Sequence, residues 1–189
     1  MVVKIKDTLR RFKRVAGRKL RLNNADELQQ RIERLRRKGV KIGQDCLIFS
    51  EEFSTEPYLV ELGNHVGVSG GTIFVTHDGS IWLIRDKRPE VQRFGRITVG
   101  DNTYIGQNCI ILPGSRIGSG CVIGAGTVVR GKIPDNSLVI GNPCKIIGQA
   151  SILLERMNAS KNTFDSLKIS YDERKLMLQR HFDLVEDQG

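Results

Sequence analysis

The stretch VGDNTYIGQNCIILPGSRIGSGCVIGAG, residues 99–126, decides the fold because it places an aliphatic residue at every sixth position. Helices repeat near 3.6 residues and strands repeat at 2, so neither element alone explains a period of six. A larger unit must therefore repeat. The aliphatic positions run without a break through Val99, Ile105, Ile111, Ile117, Ile123 and Val129.

The other positions of each hexad indicate what that unit is. Glycine often follows the aliphatic residue, and the fifth residue is always small: Thr103, Cys109, Ser115, Cys121 and Thr127. We expect each hexad to form a short strand and a corner, and three hexads to form one turn of about 18 residues. The aliphatic side chain then points inward and stacks on its equivalent one turn later, about 4.8 Å away. The pattern predicts a mainly β protein, a parallel β-helix of hexapeptide coils.

The repeat extends more weakly towards the N-terminus and has one clear interruption. Hexads are visible at Ile42 and Ile48 and again at Leu62 and Val68, but the phase breaks between Val75 and Ile97. We therefore predict a β-helix over residues 41–148, from which a loop of about residues 77–96 is extruded.

The two ends of the chain lack the repeat and carry helical patterns. Residues 1–40 are predicted as a basic helical segment, in which Leu28, Ile32 and Leu35 form an apolar stripe and Gly39 ends the helix. Residues 149–189 are predicted as a C-terminal helical segment. Residues 1–41 have a net charge of +11 within a chain of +9, so residues 1–20 are expected to contact a membrane surface peripherally. Packing of this basic helix on the body or on a neighbouring subunit is the alternative.

Composition argues against several other classes of protein. No run of about 18 apolar residues is present, and Lys and Arg interrupt the N-terminus too often for a signal peptide. Four cysteines do not make a disulfide framework, which favours a cytoplasmic location, with attachment at the inner face of the membrane through residues 1–20 as an option. Cys46, Cys109 and Cys121 occupy small corner positions, so we expect no metal. No nucleic-acid motif is seen.

The segment ITVGDNTYIGQNCIILPGSRIGSGCVIGAGTVVRGKIPDNSLVIGNPCKIIG, residues 97–148, resembles the hexapeptide-repeat acyltransferases. Within them it is most similar to the sugar and polysaccharide O-acetyltransferases, and its ending IPDNSLVIGNPCKII is the most specific signal. The resemblance implies a left-handed β-helix, a homotrimer, acetyl-CoA as acyl donor and active sites between subunits. It also implies an acceptor hydroxyl on a sugar, belonging to a surface or envelope glycan or its precursor.

Transfer to a hydroxyl needs a base, and histidine is the usual choice. His77 stands in GTIFVTHDGSIW, where the repeat breaks and the loop leaves. The resemblance gives His77 the catalytic role. Asp78 is predicted either to orient the ring or to bind the sugar. Trp82 is expected to stack on the sugar, and Arg85 and Arg88 to meet an anionic acceptor or a CoA phosphate; pinning of the loop to a neighbouring subunit is the alternative.

The donor site is predicted by motif position. The resemblance implies that CoA lies along successive coils, with cations near its phosphates, and indicates Tyr104, Gln107, Ala125, Gly126, Arg130 and Lys145. Relatives commonly read VVTKDIP where this chain reads VVRGKIP, so either Arg130 or Lys132 supplies one cation.

Two other functions are compatible with such a β-helix. A non-catalytic trimeric platform with a basic membrane-binding arm is one. A zinc carbonic anhydrase is the other, but it needs three histidine ligands, and the repeat region holds only His65 and His77.

Overall fold

The computed structural model describes residues 26–186, with side chains to residue 183. The predicted membrane-contacting segment, residues 1–20, lies outside this range. Within the range, residues 28–158 form one compact unit, and residues 26–27 and 159–186 belong to a second. None of the helices in this part of the chain is both long and apolar enough to cross a bilayer.

The larger unit consists almost entirely of very short strands. Helix α1 covers residues 26–37, most of it within this unit, and α2 follows the last strand. Fourteen strands lie between the two helices in the described chain: β1 Lys41–Ile42, β2 Leu47–Ile48, β3 Val60–Leu62, β4 Gly67–Val68, β5 Ile73–Phe74, β6 Ile97–Val99, β7 Tyr104–Ile105, β8 Ile110–Ile111, β9 Arg116–Ile117, β10 Val122–Ile123, β11 Val128–Val129, β12 Lys132–Ile133, β13 Ser137–Ile140 and β14 Lys145–Gln149. Helix α2 is Ala150–Asn158.

The strands form three sheets, through which the chain passes in turn. Sheet A has the order β1-β3-β6-β9-β12, sheet B the order β14-β13-β10-β7-β4-β2, and sheet C the order β11-β8-β5. Every pairing is parallel except that of β13 with β14. Val99 pairs with Ile117 and Ile111 with Val129, each 18 residues apart. The predicted parallel β-helix and its 18-residue turn are confirmed; its left-handed winding stays a prediction from the resemblance.

The hexad positions pack as the period predicts. The first position of each hexad in residues 99–129 is at most 4% exposed, and the small fifth position is at most 1% exposed. The aliphatic residues form inward columns, in which Ile105, Ile111 and Ile123 are completely buried. The corner residues satisfy the backbone as well as filling space, because Thr103 Oγ1 donates to the carbonyl of Gly118 on the next coil at 2.8 Å.

Both ends of the coil stack are covered in part. At the first coil, α1 buries Ile32 and Leu35 in the core, with Leu28 packed beside them. At the last coil, β14 pairs antiparallel with β13 and covers the edge of sheet B. This strand lies in a segment that sequence analysis assigned to the end of the coil and the start of a helix. Helix α2 follows directly, and its first residue, Ala150, is buried against the carbonyl of Asn136.

The outer faces of the three sheets differ in chemistry. Sheet A presents mostly charged outward side chains: Lys41, Glu61, Thr98, Arg116 and Lys132. Sheet B presents Leu47, Gly67, Tyr104, Val122 and Leu138, and sheet C presents Ile73, Ile110 and Val128. Two faces are therefore apolar and the third is charged.

The second unit contains α3, Tyr171–Glu186. A capping box starts this helix, since the Ser170 N–H donates to Glu173 Oε2 at 2.9 Å and the Glu173 N–H donates to Ser170 Oγ at 3.2 Å. His181 contacts Asn162 Oδ1 through Nε2 at 2.8 Å and packs edge-on against Phe164. Helix α2 ends at Asn158 and α3 begins at Tyr171, so the predicted C-terminal helical segment contains two helices separated by residues 159–170.

Candidate active site

His77 lies at the corner where the chain leaves sheet C and would pass to sheet A, here called the C–A corner. Strand β5 carries the chain to this corner, and the extruded loop begins there. The His77 side chain is 43% exposed, and its Nδ1 lies 3.1 Å from Glu56 Oε2. Because Nδ1 faces a carboxylate, the other ring nitrogen, Nε2, is the one available to a substrate.

Glu56 is held in place by two further hydroxyl groups. Thr55 Oγ1 donates to Glu56 Oε1 at 2.6 Å, and Thr76 Oγ1 donates to Glu56 Oε2 at 2.7 Å. The hydrogen bond from Thr55 is the main cause that lowers the pKa of Glu56, and Thr76 and His77 lower it further, against a partial desolvation that raises it. Glu56 is therefore ionised near neutral pH and accepts the Nδ1 proton of His77.

The loop after His77 returns as a short antiparallel ribbon. His77 bridges Phe94, the Asp78 N–H donates to the carbonyl of Arg93 at 2.9 Å, and the Gly95 N–H donates to the carbonyl of Thr76 at 2.8 Å. These backbone bonds fix Arg93 beside the histidine. A 3₁₀ helix, Gly79–Ile84, forms the tip of the loop.

The ribbon and Glu56 enclose a cleft of about 350 Å³. It is lined by Thr55, Glu56, His77, Asp78, Gly79, Ile81, Arg85, Gln92, Arg93 and Phe94. The cleft thus places one imidazole beside two carboxylates, two guanidinium groups and an aromatic ring. This arrangement can hold a small polar molecule and remove a proton from it.

The predicted acceptor residues are only partly brought together. Asp78 and Arg85 line the cleft, whereas Trp82 does not and is 64% exposed at the loop tip. Asp78 is not the group that orients His77: its Oδ1 accepts from the N–H and the hydroxyl of Ser80 at 3.1 and 2.7 Å and caps the 3₁₀ helix. The orienting carboxylate is Glu56, which sequence analysis missed.

The predicted donor residues cluster at a different corner. Gln107, Ala125 and Gly126 lie where the chain passes from sheet B to sheet C, the B–C corner, and the Gly126 N–H donates to the carbonyl of Gln107 at 2.8 Å. Tyr104 lies on the outer face of sheet B; its ring packs over Gly67, where a Cβ would come within 2.7 Å of Cδ2, and its hydroxyl bonds Ser69 Oγ at 2.7 Å.

The two remaining donor candidates lie elsewhere. Arg130 follows β11 and belongs to the C–A corner, the same corner as His77. Lys145 begins β14, opposite Ile140 of β13. Among residues 26–186, no three His, Cys, Asp or Glu side chains come together as a metal cluster.

Sheet C separates the histidine from the main donor cluster. On the coil that stacks beneath His77, the chain runs from Gln107 at the B–C corner to Pro113 at the C–A corner. Gln107 and Asn108 belong to a turn, in which Asn108 has a φ of 56°, and strand β8 separates this turn from the one at Pro113. Gln107 is not among the described residues that line the cleft of His77. A single chain therefore does not bring His77 and Gln107 into one pocket.

Comparison with known proteins places this architecture in a family. The profile described as bacterial transferase hexapeptide (six repeats) matches residues 96–131. Protein CapG of Staphylococcus aureus is 42% identical over 153 residues, which cover 79% of this chain and 88% of CapG. The chain belongs to the hexapeptide-repeat acyltransferase family.

Other known proteins are similar over smaller shares or at lower identity. The putative acetyltransferase YvoF of Bacillus subtilis (strain 168) is 35% identical over 104 residues, which cover 55% of this chain and 56% of YvoF. The crystal structure of a maltose O-acetyltransferase from Clostridium difficile 630 is 24% identical, with a TM-score of 0.47 over 78% of this chain and 87% of that chain.

Proposed function

We propose that this chain is an acetyl-CoA-dependent O-acetyltransferase that acts on a sugar hydroxyl, with His77 as the general base. The observation that carries the proposal is the Glu56–His77 pair at the wall of an open cleft. The name of YvoF, a putative acetyltransferase, supports the acetyl donor, and the sequence resemblance supports a sugar of a surface or envelope glycan as acceptor.

The geometry favours a defined sequence of proton movements. Nδ1–H of His77 donates to Glu56, so Nε2 accepts the proton of the acceptor hydroxyl as its oxygen attacks the thioester carbonyl carbon. The tetrahedral intermediate collapses, the carbon–sulfur bond breaks, and the imidazolium returns the proton to the leaving CoA thiolate. Glu56 stabilises the imidazolium between the two steps.

Assembly into a homotrimer is part of the proposal. Sheets B and C present different apolar faces, and contact between two different patches generates a ring, whereas contact between identical patches stops at a dimer. We place the B–C corner of one subunit beside the C–A corner of the next in this assembly. The donor residues and His77, separated within one chain, then share one cleft.

Replacement of His77 by Ala tests the catalytic assignment. We expect acetyl transfer to fall by about 10² to 10⁴-fold, with the binding of CoA and the oligomeric mass unchanged. The matched control is His181→Gln, which alters a histidine of the second unit and should keep full activity. Transfer by His77→Ala within threefold of the wild type refutes the role of His77.

A mixing experiment tests the shared site. Ala125→Glu places a negative charge at the exposed donor corner and should also abolish activity. If each site takes His77 from one subunit and the donor corner from the next, a mixed trimer can contain an intact site. With equal amounts of co-expressed His77→Ala and Ala125→Glu chains, about a quarter of the sites are intact, and about a quarter of the wild-type activity is expected. The double variant in one chain serves as the control. No recovery in the mixed trimers places the whole site in one subunit.

A further inference from the structure

Two arginines of the cleft form no ion pair within 4.0 Å in the described part of the chain. Arg93 stands on the ribbon beside His77, and Arg85 ends the 3₁₀ helix, where its Nε donates to the carbonyl of Val91 at 3.4 Å. Within residues 26–183, neither guanidinium group has a carboxylate oxygen within 4.0 Å. Both side chains therefore keep most of their N–H groups free while they line the cleft.

The two carboxylates of the cleft are already bound to other groups. Glu56 accepts hydrogen bonds from Thr55, Thr76 and His77. Asp78 is bound by Ser80. The cleft therefore holds two carboxylates, whose oxygens are already hydrogen-bonded, and two guanidinium groups, whose N–H groups remain available to a ligand.

The field of these cations reaches across the cleft. The pKa of Asp78 is lowered chiefly by its hydrogen bonds with Ser80, and after these by the positive charges of Arg93 and Arg130. Arg130 comes from a lower coil of the same C–A corner and is not among the described residues that line the cleft. A negative group that enters with the acceptor meets a favourable potential.

We propose that Arg85 and Arg93 bind an anionic group, a carboxylate or a phosphate, carried by the acceptor sugar. This inference rests on the proposed function of the same site and names the class of acceptor that it takes. Guanidinium groups bind carboxylate and phosphate through paired N–H···O bonds, so two of them fix both the position and the orientation of the sugar.

The acceptor is a better partner for these arginines than the acyl donor. Arg85 and Arg93 line the same cleft as His77. In the proposed reaction, the acceptor hydroxyl must lie beside the imidazole of His77 when it attacks the thioester carbon. In acetyl-CoA the long pantetheine arm separates the thioester from the phosphates. When the thioester is at His77, those phosphates lie outside this cleft.

Matched pairs of acceptors test the proposal. Glucuronate is compared with glucose for a carboxylate, and glucose 1-phosphate with glucose for a phosphate, by kcat/KM with acetyl-CoA and by titration of each sugar without donor. We expect at least one anion to be preferred over glucose by about tenfold or more, the effect of a charge-assisted hydrogen bond. The comparison that shows the preference, glucuronate with glucose or glucose 1-phosphate with glucose, identifies the anion. A wild-type protein that prefers glucose, or binds all three equally, overturns the inference.

Variants assign the preference to the arginines. Arg93→Gln and Arg85→Gln should each lower the ratio of anionic to neutral efficiency by about tenfold, mainly through the KM of the acceptor. Arg116→Gln, an exposed arginine on sheet A, is the matched control and should leave the ratio unchanged. A raised KM for acetyl-CoA with an unchanged ratio assigns the arginines to the donor and overturns the proposal.

These outcomes separate the inference from the proposed function. His77-dependent acetylation that ignores the charge of the acceptor refutes the arginine assignment and leaves the acetyltransferase intact. Conversely, if acetyl-CoA is not consumed with any acceptor, the proposed function fails. The titrations still decide whether Arg85 and Arg93 hold an anion.

Discussion

Glu56→Gln tests the central contact of the site. The substitution removes the negative charge that faces Nδ1 of His77 at 3.1 Å but keeps the size of the side chain and one oxygen that accepts hydrogen bonds. What is lost is the attraction between Glu56 and the imidazolium that forms in the transition state. If the amide oxygen of the variant faces Thr76 and His77, its NH2 group faces Thr55, whose hydroxyl then accepts a hydrogen bond instead of donating one.

The size of this loss follows from the distance and the exposure. At 3.1 Å, two unit charges attract by about 1.3 kcal/mol in a dielectric of about 80, and by about twice that at about 40. The His77 side chain is 43% exposed and Glu56 is 15% exposed, so solvent screening favours the lower part of this range. We therefore expect kcat to fall by about tenfold, with about 100-fold as the upper bound.

The assay separates positioning from simple loss of structure. In Glu56→Gln, kcat should fall while the KM for acetyl-CoA, the CoA affinity and the melting temperature stay near those of the wild type. Glu56→Ala also leaves the hydroxyls of Thr55 and Thr76 without their acceptor, so kcat should be lower in this variant than in Glu56→Gln. The control is Glu155→Gln, an exposed carboxyl of α2. Activity of Glu56→Gln within twofold of the wild type refutes the role assigned to this carboxylate.

The contact also predicts a dependence on pH. The pKa of Glu56 is below its usual value, so the ionised form and its stabilising contacts are complete above pH 4.5 and are lost as the pH falls through the lowered pKa. In Glu56→Gln this acidic loss should disappear from the unfolding free energy. If the unfolding free energy of the variant falls at acidic pH as much as that of the wild type, the ionised state assigned to Glu56 is contradicted.

The other predictions concern the coil. Ile123→Ala opens a cavity in a fully buried column and should lower the free energy of unfolding by about 2 to 5 kcal/mol, measured by denaturant titration, whereas the outward Val122→Ala should cost less; equal losses contradict the inward stacking. Burial raises the thiol pKa of Cys109 and Cys121, so both should resist alkylation at pH 8 in the native protein and react after unfolding, as read by mass shift. Rapid native labelling of either thiol contradicts its corner position.

The coils were predictable from sequence because the requirement at each hexad position is local. An inward residue such as Ile111 must be aliphatic, and a corner residue such as Ser115 must be small, whichever coil it belongs to. The same six positions therefore repeat visibly. Strand β14 was not predictable in this way, since its residues Lys145–Gln149 lie after the last hexad and all are exposed.

The Glu56–His77 pair was only half predictable, although both of its residues lie at departures from the repeat. His77 stands at a conspicuous break: Phe74 pairs with Ile111, 37 residues later rather than 18. Glu56 stands at a small break, because Ile42 pairs with Leu62 at 20 residues rather than 18. Two extra residues among weak hexads give little signal in a sequence, and no periodic pattern marks a carboxylate there.

The position of these two breaks explains why they meet. Residues 53–59 and the loop of residues 77–96 leave successive coils at the same C–A corner, after Glu52 pairs with Ile73 and before β3 and β6 enter sheet A. Neighbouring coils are stacked about 4.8 Å apart, so insertions at one corner must contact each other. The regular hexads fix that spacing, and the two insertions supply His77, the proposed base, and the carboxylate of Glu56 that contacts it. An insertion moved to another corner would keep the fold and separate Glu56 from His77.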